Sequence, residues 1–255
     1  MFMKNLSTTY DLAPKEIHMT TRKIFASLAV TLLSLGSTAH AANLPFNSAI
    51  ATFGQTSPGT FLAPQMIDGI TSADNGWAIF RNTGAVDDTF SERALFTLAT
   101  PLLAGPQILV FTIVQNHRQS HVLETFRLTG TTAGAPSLNS VQDDPVINSA
   151  LSTVAGTVLT ANGALITVTG TLQDIDTYTI TATFNLATPL TGFFLDAIDT
   201  NGDLTASGGP GRQPINGNFV INEFSVTAVP EPGTWVLMLG GLAVVAAGAR
   251  RRRVI

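Results

Sequence analysis

The chain has 255 residues, 45% hydrophobic and only 12% charged, and no cysteine, which is enough for one or two domains with a sizeable core. Between residues 42 and 229 it carries five arginines and no lysine against fourteen Asp and Glu, a formal net charge of −9, which argues against nucleic acid or anionic lipid as a partner. The missing cysteines rule out disulfides and thiolate-held metals, and the surplus of Thr, Gly, Val, Ile and Phe over helix formers points to β-structure.

Residues 1–18 show no periodic pattern. Met19 is followed by Thr20-Thr21-Arg22-Lys23, an apolar run from Ile24 to Leu35, and Ala39-His40-Ala41. A charged start, an apolar centre and an A-x-A site read as a signal peptide, cut by signal peptidase after Ala41. Met19 then reads as the true start, and His40 belongs to the discarded piece.

From Leu44 onward, short apolar runs alternate with Gly, Pro, Asn and Asp: 49–53, 76–81, 94–99, 108–115 and 122–130. Residues 131–150 are rich in Gly, Ala, Pro, Ser and Asn and read as a connector. Runs resume at 157–159, 165–172, 177–186, 192–198 and 219–228. Tyr178, Ile180, Ala182 and Phe184 alternate with threonines, the pattern of a half-buried antiparallel strand. The whole reads as an all-β sandwich, body 42–229. An echo, Phe96-Thr-Leu-Ala-Thr-Pro-Leu102 against Phe184-Asn-Leu-Ala-Thr-Pro-Leu190, marks either two related modules (42–130 and 150–228) or convergence of strand-then-turn sequences.

Few residues carry chemistry. His117, His121 and Glu124 would form a metal face on a helix, but between two strands they read as turn residues. Gly208-Gly-Pro-Gly-Arg212 lacks the Lys-Ser/Thr of a phosphate loop and reads as a shaped surface loop that leaves Arg212 able to pair with an acid or meet a ligand. No Gly-x-Ser-x-Gly and no cysteine nucleophile occur, and the carboxylate pairs Asp87-Asp88 and Asp143-Asp144 flank turns, so no catalytic residue is assigned. Trp77 serves either as buried core or as a ligand-stacking face. Asp199, Asn201 and Asp203 at alternate positions, with Asp196 nearby, suit calcium, or else form a plain Asn-Gly turn.

The C-terminal stretch 229–255 has three parts. Pro230 and Pro232 flank Glu231 and keep the segment extended. Residues 234–249 then form an apolar helix; the uncharged run from Trp235 to Ala249 spans about 22 Å. Trp235 at one interface and snorkelling arginines at the other extend that to a membrane crossing. Arg250, Arg251, Arg252 and Arg253 stay cytoplasmic, which places everything before Val229 outside. This tail resembles the PEP-CTERM sorting signal of Gram-negative bacteria. The resemblance implies export across the inner membrane, cleavage by an exosortase near Pro230-Glu231-Pro232, and delivery to the envelope or extracellular matrix.

Two stretches of the body resemble the galactose-binding-like, discoidin-type jelly rolls of exported bacterial proteins. One runs from Ile67-Asp68-Gly69 and Asn75-Gly76-Trp77-Ala78-Ile79 through Ala94-Leu95-Phe96 to His121 and Phe126-Arg127-Leu128. The other runs from Thr191-Gly192 and Leu195 through Gly208–Arg212 to Gly217-Asn218-Phe219-Val220 and Glu223-Phe224. They leave one permuted domain or two modules open. The resemblance implies a non-catalytic body that binds carbohydrate, a matrix polysaccharide, through loops at one end of the sandwich. The candidate ligand residues are Asp74, Asn75, Trp77, His121 and Arg212, and the same resemblance supports a structural calcium. The alternative is a structural or adhesion protein that binds protein partners or itself.

Overall fold

The computed structural model describes residues 41–84, 89–200, 209–229 and 240–242. The signal-peptide reading, Pro230 to Pro232, Arg250 to Arg253, Asn201 and Asp203 lie outside these residues, as does all of the 234–249 helix except 240–242, which are helical. Among the described residues no helix is long and apolar enough to cross a membrane. Residues Ala41–Glu231 form one compact unit.

The thirteen strands follow from the alternation in the sequence. They are β1 (Ala42–Asn43), β2 (Phe46–Ala51), β3 (Trp77–Ala78), β4 (Glu92–Leu102), β5 (Gly105–Gln115), β6 (Thr125–Thr131), β7 (Val146–Ser152), β8 (Thr157–Asn162), β9 (Leu165–Gly170), β10 (Asp176–Leu186), β11 (Leu190–Ala197), β12 (Val220–Ile221) and β13 (Glu223–Val229), with a single 3-10 turn at Ala63–Met66. They build two antiparallel sheets, ordered β1-β13-β5-β10-β7 and β2-β4-β11-β6-β9-β8, and β12 pairs with β3 in a small ribbon. This is an all-β sandwich.

The halves 42–130 and 150–228 are not separate modules. β5 lies between β13 and β10, and β11 lies between β4 and β6, so each sheet is completed by strands from both halves. The echoed strings do the same local work instead. Each runs over the end of an eleven-residue strand, β4 or β10, from which a short link leads to a strand of the opposite sheet; Leu102, the last residue of β4, pairs with Leu190, the first of β11. The connector is also shorter than its composition indicated, because Val146–Ser152 pairs with β10 as an edge strand. Being an edge strand explains the miss: β7 exposes Val146 and Leu151 and so breaks the apolar-in, polar-out rule.

Inward alternation on β10 buries Tyr178, Ile180, Ala182, Phe184 and Leu186 while its threonines stay partly exposed. Facing rings then meet across the sandwich. Phe96 of β4 stacks on Phe224 of β13 with centroids 4.0 Å apart, Phe193 of β11 meets Phe111 of β5 edge-on at 5.1 Å, and Phe126 of β6 lies parallel to Tyr178 of β10 at 6.0 Å. Each pair joins the two sheets.

The registers also collect the loops. Gln115 lies opposite Asp176, Val114 opposite Glu223, and Ala197 opposite both Glu92 and Phe126. The described segments 52–84, 89–91, 116–124, 171–175, 198–200 and 209–222 therefore gather at one end of the sandwich. Gly76 is essential there: its φ is +134° and a Cβ would sit 2.2 Å from Ile221 O, so only glycine lets β3 approach β12.

Phe224→Ala should lower the unfolding free energy by about 3–5 kcal/mol, measured by chemical denaturation, because it empties the ring stack between the sheets. Ile50→Ala on the exposed side of β2 should shift it by less than about 0.5 kcal/mol.

Candidate functional site

The loops at this end enclose a cleft of about 530 Å³. One wall comes from the segment after β2, carrying Gln55, Thr60 and Phe61. Asp74 and Phe80 flank β3, His117, Gln119 and His121 follow β5, and Asn216, Asn218 and Val220 precede or begin β12.

Amide side chains fix these walls. Gln55 Nε2 donates to Pro58 O at 2.6 Å, Asn218 Nδ2 donates to Gln55 Oε1 at 3.4 Å, and Asn218 Oδ1 accepts from Ile79 N at 3.1 Å. Gln213 Oε1 accepts from Ile215 N and Asn216 N, turning the 209–218 loop back on itself. Gly217, at φ +63° with a Cβ position only 2.1 Å from Gly209 N, lets that loop close.

The two histidines form the chemical centre. His117 Nδ1 lies 2.6 Å from Ala73 O and His121 Nδ1 lies 2.7 Å from Arg118 O. A carbonyl only accepts, so each Nδ1 carries the proton, and in the neutral ring Nε2 keeps a free lone pair. The rings meet edge to face at 4.6 Å, and Phe61 meets His117 edge to face at 5.6 Å. Burial lowers the pKa of His121, partly opposed by its bond to Arg118 O and reinforced by His117, so it is neutral at pH 7. Asp74 is exposed at the mouth and has no ion-pair or hydrogen-bond partner among the described residues.

Of the five residues picked from the sequence for ligand binding, the structure brings only Asp74 and His121 together in this cleft. Trp77 is wholly buried, its Nε1 donating to Phe53 O at 2.7 Å and its ring edge-on to Phe219 at 5.1 Å. It is a core residue and offers no stacking face. Asn75 is buried and committed: Nδ2 faces Gln65 O, Ile70 O and both Asp68 oxygens, and Oδ1 accepts from Gln65 Nε2. Arg212 lies outside the cleft, where its guanidinium donates to Thr171 O at 3.1 Å and Gly170 O at 2.8 Å. The sequence pointed to His117 only as a metal or turn residue, and Phe61, Gln119 and Asn218 were not picked as ligand groups. The Gly59-Thr60-Phe61 turn, with an isolated ring among turn residues, was the one available signal.

The calcium reading loses its strand-borne ligand. Arg93 and Asp196 are cross-strand partners, and the guanidinium holds both carboxylate oxygens, at 2.5 Å from Nε and 3.0 Å from NH2. A cation there would confront a fixed positive charge. Asp199 is held through its main-chain N–H on Ser91 Oγ, and among the described residues no three His, Asp or Glu converge on a metal position. These groups line a second, shallower hollow of about 370 Å³ whose charges are already paired.

Beside the Asn75 loop, burial pushes the Glu223 carboxyl above its ordinary value, the Gly69 N–H opposes this, and Asp68 adds to it. A raised folded pKa means the associated stability is complete below the unfolded value and is lost as pH rises through the folded one. Glu223→Gln keeps an acceptor for Gly69 and removes the charge. It should raise Tm at pH 7, and the gain should vanish as pH falls below about 4.3, followed by thermal denaturation across pH.

No curated protein matches the chain. Among solved structures, chitosan-binding module 1 of a chitosanase/glucanase from Paenibacillus sp. IK-5 aligns at 14% identity over 73% of this chain and 98% of that one, with a TM-score of 0.37. The family 32 carbohydrate-binding module of Streptococcus pneumoniae EndoD aligns at 11% identity over 72% and 98%, TM-score 0.37. A GH31 CBM32-2 module bound to GalNAc aligns at 15% over 75% and 99%, TM-score 0.32. Residues 228–253 match the PEP-CTERM protein-sorting motif, and the chain thus carries at its C-terminal end the signal for exosortase processing and cell-surface sorting.

Proposed function

We propose that this is an exported envelope or extracellular-matrix protein whose sandwich is a non-catalytic carbohydrate-binding module. The observation that carries the reading is the cleft: a concave site of oligosaccharide dimensions, combining Phe61 and Phe80 with histidine, amide, hydroxyl and carboxylate groups. Sugars present hydroxyl edges and apolar C–H faces, and such a lining meets both. Its walls are fixed by internal amide bonds, so little ordering cost opposes binding. A catalytic role would call for an acid or nucleophile poised by a partner, and this reading assigns none.

In this reading the signal peptide is removed after Ala41 and the 234–249 helix holds the protein in the inner membrane until an exosortase acts. Arg250 to Arg253 hold the tail on the cytoplasmic side. A periplasmic reporter fused after Val229 should be active, and replacing the four arginines by neutral residues should cut surface delivery several-fold while leaving folding intact, as followed by cell fractionation.

The second reading, a self-associating matrix protein, draws on β7 and β8. These edge strands contain no charged residue and expose Val146, Leu151 and Val158, the kind of edge that recruits another strand. Ligand dependence separates the two. On a glycan array and in a pull-down with the producer's own exopolysaccharide, the protein should bind, and Gln119→Ala, at an exposed side chain, should weaken binding about threefold to tenfold, about 0.7–1.4 kcal/mol, without lowering Tm. Absence of glycan binding together with concentration-dependent association would transfer the function to the edge strands. Trp77→Ala is no probe of binding, since emptying its site should cost about 3–5 kcal/mol of stability.

A further inference from the structure

Resting on the carbohydrate-binding reading, we infer that the cleft selects a cationic sugar, a hexosamine whose amine is not acetylated, over neutral and acidic sugars.

The selection follows from which polar groups the cleft leaves unused. Among the described residues Asp74 is the only formally charged side chain in its lining, and no arginine or lysine lines it. That carboxylate is exposed and unpartnered among the described residues. Both imidazoles have their Nδ1–H committed to main-chain carbonyls, so in the neutral state what they offer a ligand is the Nε2 lone pair. Of the four lining amides, those of Gln55 and Asn218 are spent on the walls, while Gln119 and Asn216 keep theirs. Gln55 Nε2 serves Pro58 O, Asn218 Nδ2 serves Gln55 Oε1, and Asn218 N serves Asn216 Oδ1. What distinguishes the cleft is therefore charge: an unpartnered carboxylate and two imidazole lone pairs, with no arginine or lysine in the described lining.

An ammonium group brings three donors, no acceptor and a positive charge, the complement of that surface. A carboxylated sugar would bring a negative charge to a site lined by no arginine or lysine among the described residues, beside an unpaired carboxylate, in a body of formal net charge −9. Phe61 lines the cleft with its ring against His117 but is only 7% exposed, so the carboxylate and not the ring carries the selection. Arg118 is the one opposing charge in reach. It borders the hollow on the outer side of Asp74 and His117, does not line the cleft, and forms no ion pair with Asp74.

The test uses the full-length protein in detergent micelles and calorimetric titration at pH 7 with three tetrasaccharides: β-1,4-linked glucosamine, its fully N-acetylated counterpart, and galacturonate. The glucosamine oligomer should bind at least tenfold tighter than the N-acetylated one, with galacturonate weakest. In Asp74→Asn, whose Tm should match the parent because the carboxylate is exposed and unpartnered, the ratio of the first two affinities should fall towards one. Equal or tighter binding of the N-acetylated oligomer, a preference for galacturonate, or a preference that survives Asp74→Asn would overturn the inference and leave the carbohydrate-binding reading standing. If none of the three bound, and the glycan array were blank as well, both would fall.

Discussion

Without a cysteine, this sandwich has to be closed by packing, and the packing that closes it is aromatic. Phe96 on Phe224, Phe193 against Phe111, and Phe126 beside Tyr178 each take one ring from each sheet. Every strand that contributes a ring is thereby tied to the facing sheet as well as to its hydrogen-bonded neighbours. A buried aromatic is worth several kilocalories when truncated, and ring pairs add a geometric preference to the burial. The rings thus fix the spacing and relative rotation of the sheets, and through them the positions at which all the loops leave the sandwich.

The few cations of the body serve that frame. Arg81 lies over the rings of Phe53 and Phe90 and pairs with Glu92. Arg93 clamps Asp196 and reaches Leu138 O, and Arg212 ties its loop to the end of β9 through Thr171 and Gly170 carbonyls. Spending guanidinium groups on internal carboxylates and carbonyls leaves the acidic excess of the sequence facing solvent. A body of this kind is repelled by anionic surfaces at long range, and the effect is screened over about 8 Å at physiological salt. Arg118 is exposed at the loop end, where it moderates that field.

What the sequence made legible is what repeats. Period-two alternation located β10 with its inward face, and the apolar runs located most of the long strands within a few residues. The tail was legible because its three parts are contiguous. Trp77, Asn75 and Arg212 were singled out as ligand groups because they are polar or aromatic residues among turns, and a turn residue on paper does not reveal which way it points. Asn75 turns inward to serve the oxygens of Gln65, Asp68 and Ile70. Asp196 looked like a cation ligand until the register of β4 against β11 set Arg93 beside it. Such pairings join residues a hundred positions apart, and no local pattern encodes them. His117, Phe61 and Asn218 converge for the same reason, from three separate loops.

The loop end of the sandwich shows how a fold with no disulfide keeps long loops in place. Asn222, wholly buried, accepts from Asn116 N, donates from Nδ2 to Ser72 O and Asn75 O, and joins β5 through its own main-chain N–H to Val114 O. Asn116 Nδ2 in turn donates to Thr71 O. One buried amide thereby connects the loop before β3, the loop after β5 and the start of β13, which are otherwise independent excursions of the chain. A buried amide left without partners costs about 1–3 kcal/mol, so these bonds are made together or the loops rearrange together. Cooperativity of that kind gives a preformed cleft from flexible sequence. The same economy governs the cleft: the amides of Gln55 and Asn218 are consumed in building its walls, while the Asp74 carboxylate in its lining stays unpartnered among the described residues.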